Sequence, residues 1–241
     1  MELYKYMSAE SFETHIINGP TIRFTPSKEF NDPFEFLPAL GKDENEEILD
    51  NDIRLQNIKE EMFDKLSSYF HEQLCDLKSE YGTFCCSGNN RNILMWSHYA
   101  ENHKGVAIIF DLSKFKTING SHILFQKVKY RSRRPHVIVK NIKIRDIFFT
   151  KSSLWKYEEE YRSIANLYTP EKLGLKNIDG KQGICAIQRA SISGIIFGCK
   201  FKGNIKSLRE SLIKQDGFEH LKFYKAEMDK LEYKLNIVPL A

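Results

Sequence analysis

The run Gly105-Val-Ala-Ile-Ile-Phe-Asp111 constrains this chain more than any other stretch. It is nearly all apolar, rich in β-branched residues and free of polar alternation, so it reads as a buried strand. The chain around it has 241 residues, enough for one large or two small domains. A chain of that length buries about 70% of its extended surface and needs no disulfide or metal staple. No linker, internal repeat or low-complexity tract interrupts it, so a single domain over 1–241 is expected. The longest apolar runs, near Val106–Phe110 and Ile195–Phe197, are strand-sized. They fall well short of the roughly 20 residues a membrane helix needs, so no membrane partner is expected. Its opening, Met-Glu-Leu-Tyr-Lys-Tyr, is not a signal peptide. Five cysteines, at 75, 85, 86, 185 and 199, are odd in number and include an adjacent pair. That usage suits small core thiols in a reducing cytoplasm.

Elsewhere the periodicity predicts short strands at Leu3–Tyr6, Thr21–Thr25, Thr83–Cys86, Glu160–Tyr168, Ile184–Ile187 and Ile195–Phe197. Leu124–Tyr130 and Val137–Ile144 are mixed strand candidates, and Ile147–Trp155 reads as helix or extended chain. Ser8 caps a helix that Asn18-Gly19-Pro20 ends. Pro26 to Pro38 reads as a loop. Asn92–Ala100 reads as a short helix or turn, and 205–215 as a helix. Leu221–Ala226 and Leu231–Val238 read as a terminal hairpin. Leu55, Ile58, Met62, Leu66, Tyr69 or Phe70, Leu74 and Leu77 recur at helical spacing, a long amphipathic helix in an insertion at about 42–80. Strands and helices alternate irregularly, so the expected class is α+β: one domain, a mixed or mostly antiparallel sheet, and flanking helices.

The net charge of +4 hides a dipole. From Lys42 to Glu80 there are 12 acids and 5 bases, a net of −7, whereas Lys114 to Lys156 holds 12 bases and one acid, a net of +11. The tightest basic cluster is Lys127, Lys129, Arg131, Arg133 and Arg134, with Tyr130 interleaved. That mix suits a phosphate backbone and one stacked base, so a nucleic-acid partner is expected. The plainer reading is a solvated face complementing the acidic helix. The chain has no Gly-rich phosphate loop, zinc spacing or nucleophile elbow, which argues against P-loop, Rossmann, zinc-module and ordinary serine-hydrolase chemistry.

Three constellations carry chemistry. In Arg23-Phe-Thr-Pro-Ser-Lys-Glu-Phe-Asn31-Asp32-Pro33-Phe34-Glu35 a strand gives way to a loop displaying Asn, Asp and Glu. Its plainer reading is that Asn31 and Asp32 satisfy loop backbone groups. In Met95-Trp96-Ser97-His98-Tyr99-Ala100, followed by His103-Lys104-Gly105, the aromatics suit a stacking wall with His98 and Lys104 as polar handles. The plainer reading there is core packing. In Trp155-Lys-Tyr157-Glu158-Glu159-Glu160-Tyr161-Arg162, Glu158 and Glu160 share one face of an expected strand. Crowding then raises one acid while Arg162 holds another ionised. A structural Glu–Arg pair is the plainer alternative.

With these motifs in place the chain resembles a bacterial and phage-associated family catalogued as a domain of unknown function, number 2971. The resemblance rests on Leu-Tyr-Lys-Tyr at 3–6, Phe-Asn-Asp-Pro-Phe-Glu at 30–35, the Met-Trp-Ser-His-Tyr-Ala and His-Lys-Gly motifs, Trp-x-Tyr-Glu-x-Glu-Tyr-Arg at 155–162, and Ile-Ile-Phe-Gly at 195–198. A more remote resemblance is to the ADP-ribosyltransferase fold, including toxins that modify nucleic acids. It implies an ADP-ribosyltransferase-like toxin or phage-defence effector with NAD as substrate and RNA, DNA or protein as acceptor. Glu160 would then stabilise the ribosyl cation and Glu158 orient or deprotonate the acceptor. Tyr6 or Tyr99 would stack on nicotinamide and Arg23 bind the pyrophosphate. Asn31 would contact adenosine or ribose, with Lys5, Asp32 and His98 among the remaining contacts and no metal. A neutralising antitoxin is a further expected partner. The alternatives are a non-catalytic nucleic-acid or partner-binding subunit, and a metal-dependent nuclease using Asp32, Glu35, Glu158 and Glu160.

Overall fold

The apolar run forms a strand from Val106 to Asp111 in the middle of the main sheet. Its side chains alternate between two cores. Val106, Ile108 and Phe110 join a cluster with Leu3, Phe12, Phe84 and Phe197. Ala107 and Ile109 join Tyr6, Met95, Trp96 and Ile196 on the opposite face. Burial on both faces is why polar residues are missing from this run. The computed structural model describes residues 1–40, 65, 68, 69, 72, 74, 78–137, 144–178 and 180–240. Within the insertion expected at 42–80, the described residues 65, 68, 69, 72, 74 and 78–80 are helical. The other positions of that insertion lie outside the described residues, as do Lys140 and Lys143 of the basic block.

Among the described residues the main sheet has nine strands. Eight of them run in the order Leu235–Pro239, Lys222–Met228, Ile192–Phe197, Val106–Asp111, Glu2–Met7, Tyr81–Ser87, Glu160–Asn166 and Gln126–Lys127, and Thr25–Pro26 also pairs with Tyr81–Ser87. Every pairing in this sheet is antiparallel except Ile192–Phe197 with Lys222–Met228. That parallel step needs a crossover, and the helix Ile205–Ile213 supplies it. The terminal strands pair as the expected hairpin. The protein is thus a single-domain α+β fold with a mixed, mostly antiparallel sheet and a few helices.

Local chemistry explains several boundaries. Ser8 Oγ accepts from the Ser11 N–H at 3.1 Å and starts the helix Ala9–Phe12. Asn92 Oδ1 accepts from Leu94 and Met95 at 2.9 and 3.3 Å and caps Ile93–Tyr99. The strand expected at Thr21–Thr25 divides in two. Thr21–Arg23 pairs with Lys181–Ala186, while Thr25–Pro26 turns to pair with Tyr81–Ser87. The segment read as Ile147–Trp155 becomes the end of a helix, Ile144–Phe148, then the strand Thr150–Ser152, then a 3₁₀ turn, Ser153–Glu158.

One feature of the sheet opens space for the candidate site. Glu2–Met7 keeps a register of six residue pairs with Val106–Asp111. Towards Tyr81–Ser87 it keeps a single pair, Tyr4 with Ser87. The two halves of the sheet part beyond that point, and Lys5 Nζ donates to the Cys85 carbonyl at 3.0 Å across the gap. Replacing Phe110, which is fully buried, with Ala is expected to cost about 3–5 kcal/mol of stability. Urea unfolding midpoints check this, and a loss below about 1 kcal/mol would mean the strand is not central to the core.

Candidate functional site

The parting of the sheet opens a cleft of about 310 Å³. Its lining gathers Lys5, Tyr6, Asn31, Tyr99, Glu158 and Glu160 from the expected residues and adds Tyr4, Glu29, Cys85 and Lys151. A second groove, of about 870 Å³, is larger but contains one carboxylate, Asp216, and none of the expected residues.

Glu158 and Glu160 do not lie on one extended strand, which corrects the expected geometry. Glu158 ends the 3₁₀ turn, Glu159 is left-handed at φ 46°, and the strand begins at Glu160. Glu159 points away and accepts from Asn89 Nδ2 at 2.8 Å. The turn is held by the loop after Tyr81–Ser87. Ser87 Oγ donates to the Glu158 carbonyl at 2.6 Å, Gly88 N–H to the Glu159 carbonyl at 2.9 Å, and Asn92 Nδ2 to the Tyr157 carbonyl at 3.0 Å. Both carboxylates are buried and converge on one ammonium. Lys151 Nζ lies 2.6 Å from Glu158 Oε2, 3.2 Å from Glu160 Oε2 and 3.6 Å from Glu35 Oε2. Arg162, fully buried, grips Glu160 through Nε and Nη2 at 2.7 and 2.9 Å, and also pairs with Glu35.

The environments of the two acids diverge. Burial raises Glu158, and the charge of Glu160 adds to that against the opposing pull of Lys151. Burial also penalises charge on Glu160, but Arg162 and Lys151 outweigh it and hold Glu160 well below the ordinary carboxylate value. Glu35 is raised by burial despite both cations. Tyr99 Oη donates to Glu158 Oε1 at 2.6 Å, and burial together with that bond raises the phenol. Burial likewise raises the Cys85 thiol well above its ordinary range, so it stays protonated beside Glu160. Three carboxylates against two cations leave the ionised cluster one negative charge in excess. It can accept a proton or favour a cationic ligand.

The remaining expected residues have other duties. Tyr6 Oη donates to the Asn89 carbonyl at 2.7 Å, and its ring meets Trp96 edge-on at 5.1 Å, so Tyr6 is a rigid wall rather than a mobile stacker. Trp96 is core, as its plainer reading had it. Asp32 Oδ1 accepts from the Phe34 N–H at 2.9 Å, so it serves the loop backbone. Arg23 is held by Glu29 through two 2.7 Å bonds and does not line the cleft. His98 is exposed beside Tyr99 and Tyr157, outside the cleft lining. Tyr130 is half-buried and its hydroxyl accepts from the Glu160 N–H at 2.8 Å, which ties it to the cluster. Lys127, Lys129, Arg131, Arg133 and Arg134 are exposed. Lys151 was the residue the sequence did not single out. A three-acid cluster with one arginine requires a second cation, but twelve bases in the basic block offer equal candidates.

The ammonium and guanidinium occupy the space between the carboxylates that a bridging metal would need. Among the described residues no group of three or more His, Cys, Asp or Glu has metal-holding geometry. Nor, among them, is any helix long and apolar enough to cross a membrane.

Residues 95–163 match the family model described as Protein of unknown function (DUF2971). The matched stretch contains Tyr99, Lys151, Glu158, Glu160 and Arg162, so two of the three acids and both cations fall within it, while Glu35 lies outside. The model that matches over this stretch is that of the family the motifs resemble. No curated protein and no solved structure matches the chain.

Removing Arg162 leaves the buried Glu160 and Glu35 to Lys151 alone, so Arg162→Ala is expected to cost about 3–5 kcal/mol. Urea unfolding measures it, and a loss under about 1 kcal/mol would show that water already screens the pair. The pH dependence has a definite sign. Glu160 is lowered on folding, so its contribution is present above the ordinary value of 4.5 and is lost as pH falls through the lowered one. Wild type should lose more stability than Glu160→Gln between about pH 6 and about pH 3. Equal losses would place the acid sensitivity elsewhere.

Proposed function

We propose that the chain is an ADP-ribosyltransferase-like enzyme, acting as a toxin or phage-defence effector, that moves ADP-ribose from NAD to a nucleic-acid or protein acceptor. The observation that carries this reading is the meeting of Glu158 and Glu160 with Tyr4, Tyr6, Asn31 and Tyr99 in one cleft where the sheet parts. A cleft of about 310 Å³ is at the low end for ligand pockets, so it would enclose a nucleoside end and leave the remainder over the rim.

The chemistry follows from the cluster's charge. Breaking the ribose C1′–N bond sends its electron pair out with nicotinamide and leaves C1′ cation-like. The excess negative charge of the cluster is greatest in value at that moment, which is transition-state rather than ground-state stabilisation. Glu160, kept ionised by Arg162 and Lys151, supplies that charge at any working pH. Glu158, whose proton affinity is raised, receives the proton of the attacking nucleophile as the new C1′ bond forms. Asn31 and the tyrosines orient the ring system. The transferase fold assigned to the chain is part of the same proposal.

Purified protein given nicotinamide-labelled and adenylate-labelled NAD, with RNA, DNA or protein, is expected to release nicotinamide and label one acceptor. Glu158→Gln and Glu160→Gln should each lower the rate roughly 10²–10³-fold. The wild-type rate should rise with pH through the raised titration of Glu158, since its ionised form accepts the proton. Absence of nicotinamide release with every acceptor would overturn the reading. Oligonucleotide cleavage abolished by a chelator would replace it with the nuclease.

A further inference from the structure

Alternation along one short strand connects the buried cluster to an outer basic face. In Lys129–Arg131 the Tyr130 side chain turns inward to Glu160, while Lys129 and Arg131 are exposed. Lys127, also exposed, ends the preceding strand Gln126–Lys127, and buried Val128 separates the two strands. Lys129 and Arg131, two apart in one strand, sit about 6.6 Å from each other, and with Lys127 they make a row of exposed cations. Arg133 and Arg134 extend it. The row is weakly compensated. Asp146 lies 4.0 Å from Lys129, with both side chains about half exposed. The strand pairs in parallel with Thr150–Ser152, Tyr130 aligned with Lys151, so the row is bonded directly to the segment carrying the central ammonium.

An exposed aromatic ring stands beside this row. Phe34 is 59% exposed, and the Arg134 guanidinium lies 5.9 Å from its centroid. The next residue, Glu35, is buried and paired with Lys151 and Arg162. The ring is therefore one residue from the cluster, on the solvent side of the loop that carries Glu35. An exposed ring with an arginine over it is a platform for a planar base, and a row of exposed cations matches phosphates along an extended single strand.

We infer that this face docks a single-stranded nucleic acid, with phosphates along Lys127, Lys129, Arg131 and Arg133 and a base stacked on Phe34 beside Arg134. A duplex would reach the cations but hide its base faces from the ring. That the docked strand is the acceptor of the transfer rests on the reading above, whereas the docking itself does not.

Fluorescence anisotropy of a labelled 20-nucleotide single strand, against the same sequence as a duplex and without NAD, tests the surface. Single-strand binding should exceed duplex binding and fall steeply with salt. Phe34→Ala should weaken it roughly tenfold or more, the range for loss of a base–aromatic stack. Arg131→Glu with Arg133→Glu should weaken it further and flatten the salt dependence. Thermal unfolding of each variant confirms folding, and these exposed positions are expected to leave it unchanged. No binding at low salt, duplex affinity equal to single-strand affinity, or an unaltered Phe34→Ala affinity would each overturn the inference. Binding without any nicotinamide release would leave this surface standing and sink the transferase reading. Nicotinamide release without oligonucleotide binding would do the reverse.

Discussion

Two cations hold three carboxylates away from water at the place where the sheet divides. Removing such charges from solvent costs several kcal/mol per ion, which only close, mutual pairing offsets. The pairing therefore dictates where its carriers sit. Arg162 reaches Glu160 on its own strand, Glu35 from the loop, and the Phe148 carbonyl at 2.7 Å from a helix end. Its guanidinium also lies 5.0 Å from the Phe36 ring, within the smaller core of Phe36, Leu74, Ile147 and Phe148. Lys151 ties in the Thr150–Ser152 strand and rests near Trp155. The loop at Glu35 and the successive elements between Phe148 and Arg162 thus meet through one ionic junction.

The same junction separates two otherwise similar acids. Glu160 faces both cations and stays ionised, while Glu158 shares Lys151 and a tyrosine hydroxyl and holds its proton more readily. Divergent titration of neighbouring carboxylates is the usual basis for giving one an electrostatic role and the other a proton-transfer role. The parted strands supply what a packed sheet lacks, a concave surface reaching those side chains. A splay of this kind sacrifices backbone hydrogen bonds, and the Lys5 bond to Cys85 restores part of that loss.

Much of the fold was legible. Apolar alternation, or its absence, located the strands around Leu3, Thr83, Val106 and Ile195, and the cap residue Ser8 located a helix start. These signals are local, because a strand's faces and a helix's first turn are set by neighbours in sequence. The division of 21–26 between two partners was not legible, since pairing choice depends on strands more than fifty residues away. For the site, the Glu-x-Glu pattern and its arginine were visible. The geometry joining them was not, because the left-handed Glu159 is imposed by Ser87, Gly88 and Asn92.

Charge shows the boundary most clearly. The amino-acid order alone determined that a basic block follows an acidic one, that one apolar strand must be covered on both faces, and that Glu158, Glu160 and Arg162 crowd together. Those properties are carried by residues adjacent in the chain. Only the tertiary structure decided that Lys151 completes the cluster, that Arg23 is spent on Glu29, and that Tyr130 faces inward while Phe34 faces out. Each of those depends on which distant group a side chain meets, and burial energy rather than sequence spacing makes that selection.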